Sequence, residues 1–300
     1  MHTSVGVVMY YLLSILSGVV ISVMVCINGK LTTAYGLYLS AVIIHLVGVI
    51  FSGAICLFGK KTLKCHAPLW AYLGGAIGVL TTFFNNFAFD KISMTSIVAL
   101  GLLGQSITSV CLDSFGLLGI KKQKPEKSAV IGYLAAALGI YIMMDSSIAA
   151  AAVAVFVSLL AGITVVLSRT VNARLSEETS PIAGSFVNHL VGLPICIILF
   201  LCIQRPLLVP VSTWNPIVYT GGILGVLVVM LFNITVPKIA AFHLTLLSFV
   251  GEIFAGIAID IATHSGYSSS TFIGGIVISA GLLINMILKR ISERRSGMQG

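Results

Sequence analysis

The sequence predicts an all-α polytopic membrane protein: ten transmembrane helices arranged as two inverted five-helix repeats. Three observations predict it. The 300 residues are 58% hydrophobic and only 9% charged, with a mean hydropathy of +1.09. A soluble globular chain is about half apolar and about a quarter charged. Apolar runs of about 20 residues recur along the whole length, which is what a ~30 Å hydrocarbon core requires of a helix. Finally, the two halves of the chain match one another at nearly constant offset.

Ten spans are expected, at 7–27, 38–58, 69–89, 94–114, 128–144, 147–168, 182–203, 216–236, 241–262 and 270–289. The stretch MHTSVG ahead of the first lacks a basic region, and the apolar run after it is too long for a cleaved signal, so the first span is expected to be retained. Trp70 and Trp214 stand just ahead of the third and eighth spans and read as interface anchors. The run KKQKPEK at Lys121–Lys127 reads as a solvated loop before the fifth span, within reach of anionic headgroups. Lysines and arginines set the orientation. With the N-terminus in the cytoplasm, 14 of them fall on the cytoplasmic side, Arg169 and Arg174 included. Only Lys30, Lys91 and Arg205 fall on the other. Both termini are therefore expected inside, and the span count is expected to be even.

The internal repeat is the strongest signal. At an offset of 144, Ser17–Gly48 lies over Ala161–Gly192, matching Gly18 with Gly162, Asn28 with Asn172, and His45-Leu-Val-Gly48 with His189-Leu-Val-Gly192. At an offset of 147, Tyr72–Asp113 lies over Tyr219–Asp260, matching Gly74, Gly75 and Gly78 with Gly221, Gly222 and Gly225. Asn86 then faces Asn233, Lys91 faces Lys238, and Asp113 faces Asp260. Apolar helices match by chance at Leu, Val and Ile, and far less readily at Gly, Asn, His, Lys and Asp. The halves are read as residues 1–145 and 146–300. With five spans each, the second lies upside down relative to the first, a common plan for secondary transporters with a site near the midplane.

Net charge of +8 does not point to nucleic acid, because the basic residues sit in short loops between spans. The six scattered cysteines form no CxxC and read as buried apolar residues, not as a disulfide frame or a metal site. There is no HExxH, no GxSxG and no phosphate loop. Neither an enzyme nor a cofactor is expected, and energy for transport would come from gradients.

The stretch WAYLGGAIGVLTTFFNNFAF (Trp70–Phe89), then Lys91 and GLLGQSITSVCLDSFGLLG (Gly101–Gly119), resembles the YdcZ-like family of the drug/metabolite transporter superfamily. So does Asn28-Gly-Lys-Leu31 leading to His45–Gly48, and the second half carries weaker versions of both. The resemblance implies ten helices in two inverted halves and an inner-membrane exporter role, with no substrate attached. Glu252 stands where the motif would have Gln, so only the Gln105 copy keeps the pattern. Cys26-Ile27 stands where relatives often carry a Gln before the Asn.

The candidate site residues are polar groups inside spans. Glu252 lies near the middle of the ninth span. A charge at that depth costs several kcal/mol and commonly marks a transport path. Its helix face carries Thr245, Ser248, Ala255 and Gly256; Gln105, its counterpart, shares a face with Gly101, Thr108 and Ser109. Desolvation favours the neutral acid, so proton and substrate could compete for Glu252. The alternative is a protonated Glu bonded to a neighbouring helix. Gln105 could bind substrate, pack, or pair with Glu252. His45 and His189 could relay protons or only bond between helices. Asn86 and Asn233 could line an entrance or cap helices, and capping is expected of Asn85. Asp113 and Asp260, and likewise Asn28 and Asn172, read as helix ends, the aspartates being within reach of water. The glycines Gly74, Gly78, Gly221 and Gly225 read as packing faces.

The function expected is a secondary-active transporter, exporting a small metabolite or drug-like solute by alternating access, with Glu252 as a candidate proton site. The alternatives are a flippase for a lipid-linked or amphipathic solute and a non-transporting scaffold or sensor. The partners expected are a small-molecule substrate and membrane lipid, with a homodimer left open. The location expected is the cell membrane.

Overall fold

Long uninterrupted apolar runs become long helices. In the computed structural model, residues 2–60, 67–89, 91, 94–122, 129–144, 151–204, 213–262 and 269–297 are described. They form ten α-helices and, among the described residues, no strand: α1 His2–Tyr35, α2 Leu37–Phe58, α3 Gly74–Phe89, α4 Met94–Phe115, α5 Ala129–Met143, α6 Ala152–Glu178, α7 Pro181–Ile203, α8 Gly221–Thr235, α9 Ala241–Ala262 and α10 Ser269–Gly297. Seven helical stretches are long and apolar enough to cross a membrane, and Val130–Met143 and Phe272–Gly281 are shorter apolar helices.

Local chemistry sets the breaks. Gly36 joins α1 to α2 at φ 76°, a left-handed conformation that glycine adopts without a Cβ clash. Pro181 opens α7, and the Ser180 side chain accepts the amide of Ala183, a polar N-cap followed by proline at the first helical position. Short 3-10 turns at Leu69–Tyr72 and Pro216–Tyr219 precede α3 and α8.

The packing is reciprocal between the halves. α1 packs on α8 and α9, while α6 packs on α3 and α4; α3 packs on α7 while α2 packs on α8; α2 crosses α7, and α5 pairs with α10. Adding five to each helix number returns the same pairs. The glycines explain how closely these crossings approach. A Cβ on Gly18 would stand 1.8 Å from the Ser248 carbonyl oxygen, and one on Gly162 would stand 2.1 Å from that of Gly101. One on Gly74 would meet Asn172 Oδ1 at 1.9 Å, and one on Gly221 would meet Asn28 Oδ1 at 1.8 Å. Gly74 and Gly221 are thus packing positions, as expected.

One departure from reciprocity stands out. α8 packs on both α6 and α7, whereas α3 has no comparable packing on α1 or α2 among the described residues. At the α6–α7–α8 junction, Asn233 Nδ2 donates to the Pro181 carbonyl at 3.0 Å, and Ser176 Oγ donates to the Asn233 carbonyl at 3.5 Å.

Several expectations are corrected here. Asn28 and Asn172 are not helix ends: α1 runs on to Tyr35 and α6 to Glu178, because an amide finds partners or close packing inside the bundle. Asn172 Nδ2 donates to Asn188 Oδ1 at 2.8 Å. Asp113 is buried, not a solvated helix end, and Arg169 lies buried within α6, not in a cytoplasmic loop. Cys111 and Cys202 are exposed on the outer surface, while Cys56 and Cys196 are buried. Asn85 is exposed and forms no cap, since its side chain has no hydrogen-bond partner among the described residues. The side chains of Asn86 and Asp260, Cys65, and most of the Lys121–Lys127 loop lie outside the described residues.

Candidate functional site

The polar side chains converge on a seam where α4, α6 and α9 meet. On α4 and α9 the small and hydroxylic residues recur every three or four positions and so share one face. Ser109 Oγ on α4 and Thr245 Oγ1 on α9 are 2.7 Å apart. Arg169, reaching across from α6, donates through Nη2 to Thr245 Oγ1, to Ser109 Oγ at 3.4 Å and to the Ala241 carbonyl at 3.5 Å. Its guanidinium lies 5.4 Å from the centre of the Phe232 ring, a cation–π arrangement. Its Nη1 is buried and has no hydrogen-bond partner among the described residues. At the end of the seam the Asp113 carboxylate accepts the amides of Ala241 and Phe242, both at 2.9 Å.

Glu252 lies two turns farther along α9 on the same stripe and is half-buried. α1 crosses there. Gly18 meets the backbone of Ser248 and Glu252, and Ser22 Oγ donates to the Glu252 carbonyl. Gln105 occupies the equivalent crossing on α4, where Gly162 of α6 meets its amide nitrogen and the Gly101 carbonyl. The two residues therefore hold corresponding places. Neither side chain has a hydrogen-bond partner among the described residues, so no hydrogen bond pairs Glu252 with Gln105. Ser248 Oγ donates back to the carbonyls of Leu244 and Thr245 at 2.9 and 3.0 Å, bonds that leave its helix face small and polar.

The histidines meet at the α2–α7 crossing, apart from this seam. Their ring centroids are 5.7 Å apart. His45 Nδ1 lies 2.9 Å from the Ala41 carbonyl and His189 Nδ1 lies 2.9 Å from that of Ser185. A carbonyl only accepts, so each Nδ1 carries its proton. Each ring also fills the other half's glycine notch, His189 at Gly48 and His45 at Gly192. Asn233 is a buried junction residue, described above, with its Oδ1 unpartnered.

Sequence reasoning missed the Asp113–Arg169 cluster. Two signals were available. The helical pattern of LSRTVNARL continues past Arg169, and Arg169 has no counterpart in the first half, where Val25 stands at the matching position.

Residues 9–142 and 153–287 both match the family model described as "Putative inner membrane exporter, YdcZ". The chain belongs to the YdcZ family. The family model matches this YdcZ-family chain twice, which agrees with a multi-pass membrane transporter. A crystal structure of another protein is similar at TM-score 0.72 and 12% identity, covering 96% of this chain and 99% of that one; at that identity the likeness is one of fold alone. No curated protein matches the chain. Among the described residues no group of His, Cys, Asp or Glu is placed to hold a metal ion.

Proposed function

We propose that this YdcZ-family protein is a secondary-active exporter of a small solute. It works by alternating access between two inverted five-helix repeats, residues 1–145 and 146–300. All ten helices cross the membrane and both termini are cytoplasmic, a reading supported by the repeat and by the bias of basic residues. The observation that carries the mechanism is the unequal packing of matched helices. α8 packs on α6 and α7, while α3 has no comparable packing on α1 or α2 among the described residues. A symmetric fold held in one asymmetric state has a second state of related energy, in which α3 closes and α8 parts. In the proposed orientation the α6–α7–α8 junction is cytoplasmic, so this state is closed to the cytoplasm.

Glu252 is the proton site of this cycle, with Gln105 at the equivalent place on α4 and Ser109 and Ser248 along the solute path. The support is position: an acid with no hydrogen-bond partner, half-buried in a span, on a stripe of small and hydroxylic residues. The test uses proteoliposomes loaded with a pH-sensitive dye and challenged with panels of small amines, carboxylates and drug-like solutes. Wild type should move protons against at least one solute, and Glu252→Gln should lose that coupling while retaining solute exchange. Equal fluxes for both proteins across pH would remove the coupling proposal, and absence of any flux would favour the scaffold.

A further inference from the structure

We propose that Arg169 is the anion-binding group of the solute path, and that the solute carries a carboxylate or phosphate. The inference rests on the transport reading above and names its substrate class.

Three independent observations lead to it. First, Arg169 is 5% exposed, and its Nη1 has no acceptor among the described residues. A buried donor left unmade costs about 1–3 kcal/mol, more on a charged group, and such a group is satisfied when an acceptor arrives. Asp113 acts on the guanidinium electrostatically while its oxygens accept two amides of α9. Second, Arg169 breaks the repeat. The residues that hold the fold together come in pairs: Gly18 with Gly162, His45 with His189, Asn28 with Asn172. At the position matching Arg169 the first half has Val25. A crossing that needed a cation for packing would need it twice. Glu252 breaks the repeat in the same way against Gln105, so a cation and an acid of the seam are both asymmetric additions.

Third, a cleft of about 430 Å³ lies at the same end of the bundle, with Thr170, the residue after Arg169, in its lining. It is lined by Thr170 and Ala173 of α6, by Ala240 ahead of α9, and by Lys121, Arg174 and Lys238, with Glu177 as its acid. Arg174 is paired with Glu177 at 2.9 Å and with Glu178 at 3.2 Å, which leaves Lys121 and Lys238 as exposed positive charges. Arg169 precedes Thr170 in the chain and reaches the carbonyl of Ala241, next to Ala240, so it stands behind this wall. A positively lined mouth concentrates anions. Arg169 does not itself line the cleft; in the proposed cycle α8 parts from α6, and an anion in the cleft then reaches Nη1.

The test reads binding and is therefore separable from transport. Purified full-length protein in neutral detergent is melted in sodium acetate, benzoate or phosphate, with ionic strength held by sodium chloride. At least one of these should raise the melting temperature of wild type saturably, because a ligand of the folded state stabilises it. Arg169→Gln should weaken the apparent affinity about tenfold or more, Arg169→Lys less, and Gly29→Ala, which meets nothing within 4 Å, should leave it in place. Unchanged affinity in Arg169→Gln, or no saturable shift in wild type with any of the three salts, overturns the proposal. Should Arg169→Gln fail to fold, Arg169→Lys and the exposed double variant Lys121→Gln/Lys238→Gln decide, and unchanged affinity in both overturns it. Nanodiscs of phosphatidylglycerol and of phosphatidylcholine form the second arm. A stabilisation by the anionic lipid that needs Arg169, with no response to the soluble salts, assigns the anion to a headgroup and overturns a soluble ligand.

Discussion

The Asp113 carboxylate, near the end of α4, caps α9 by accepting the amides of Ala241 and Phe242 at 2.9 Å each. The first amides of a helix have no partner inside it, and its N-terminus carries partial positive charge, so a buried carboxylate there is doubly matched. Asp113 belongs to the first half of the chain and α9 to the second, so the cap ties the halves together. Asp113→Ala is expected to lower stability by about 1–3 kcal/mol, and Asp113→Asn by less, since one acceptor oxygen remains. Thermal unfolding in detergent checks it, and an unchanged midpoint for Asp113→Ala would refute the cap's role.

Close helix crossings should respond to a single methyl. Gly18→Ala brings a Cβ to 1.8 Å from the Ser248 carbonyl oxygen, a backbone atom that cannot rotate away, whereas Gly29→Ala meets nothing within 4 Å. The first should cost about 1–3 kcal/mol as overpacking. The second should be neutral or stabilising by about 0.5–1 kcal/mol, as for any helical glycine replaced by alanine. Melting temperatures of the two variants, measured side by side, must differ in this order.

The histidine notch predicts coupling. A Cβ on Gly48 would stand 2.2 Å from His189 Cδ2. Gly48→Ala alone should therefore destabilise. Combined with His189→Ala the loss should be less than the sum, by about 0.5–3 kcal/mol of interaction energy. Strict additivity in the double-mutant cycle would show that the two positions do not touch.

Asn233 should control which end is open. Its Nδ2 bond to the Pro181 carbonyl and the Ser176 bond to its own carbonyl hold α8 against α7 and α6. Asn233→Leu removes the side-chain bond and should shift the population toward the state with α8 parted. The measurement is the rate at which a thiol reagent labels a cysteine placed at the buried Ser176, in a cysteine-free background. A faster rate in the variant is expected, and an equal rate would count against α8 as the moving element.

The repeat shows how far the sequence carried. Matches at Gly18/Gly162, His45/His189 and Gly74/Gly221 were legible because a crossing without room for a Cβ, or a ring that fills a notch, tolerates few residue types. The same pairs then recur as reciprocal contacts. Arg169 and Asp113 were misread for the opposite reason. A charged residue near a span end is usually solvated, and nothing local distinguishes that case from one in which a third helix covers it. The residues covering Arg169, namely Ser109, Thr245 and Phe232, are 60 or more positions away in the chain.

By itself the sequence determined the membrane class, the helical content and the likeness of the two halves, since hydropathy over about 20 residues and the exclusion of a Cβ are local properties. Tertiary structure alone decided that Asp113 caps α9, that the histidines share one crossing, and that α8 packs on α6 and α7. Those depend on which distant helices meet, and a polar group's meaning inside a bundle is set by the partners brought to it.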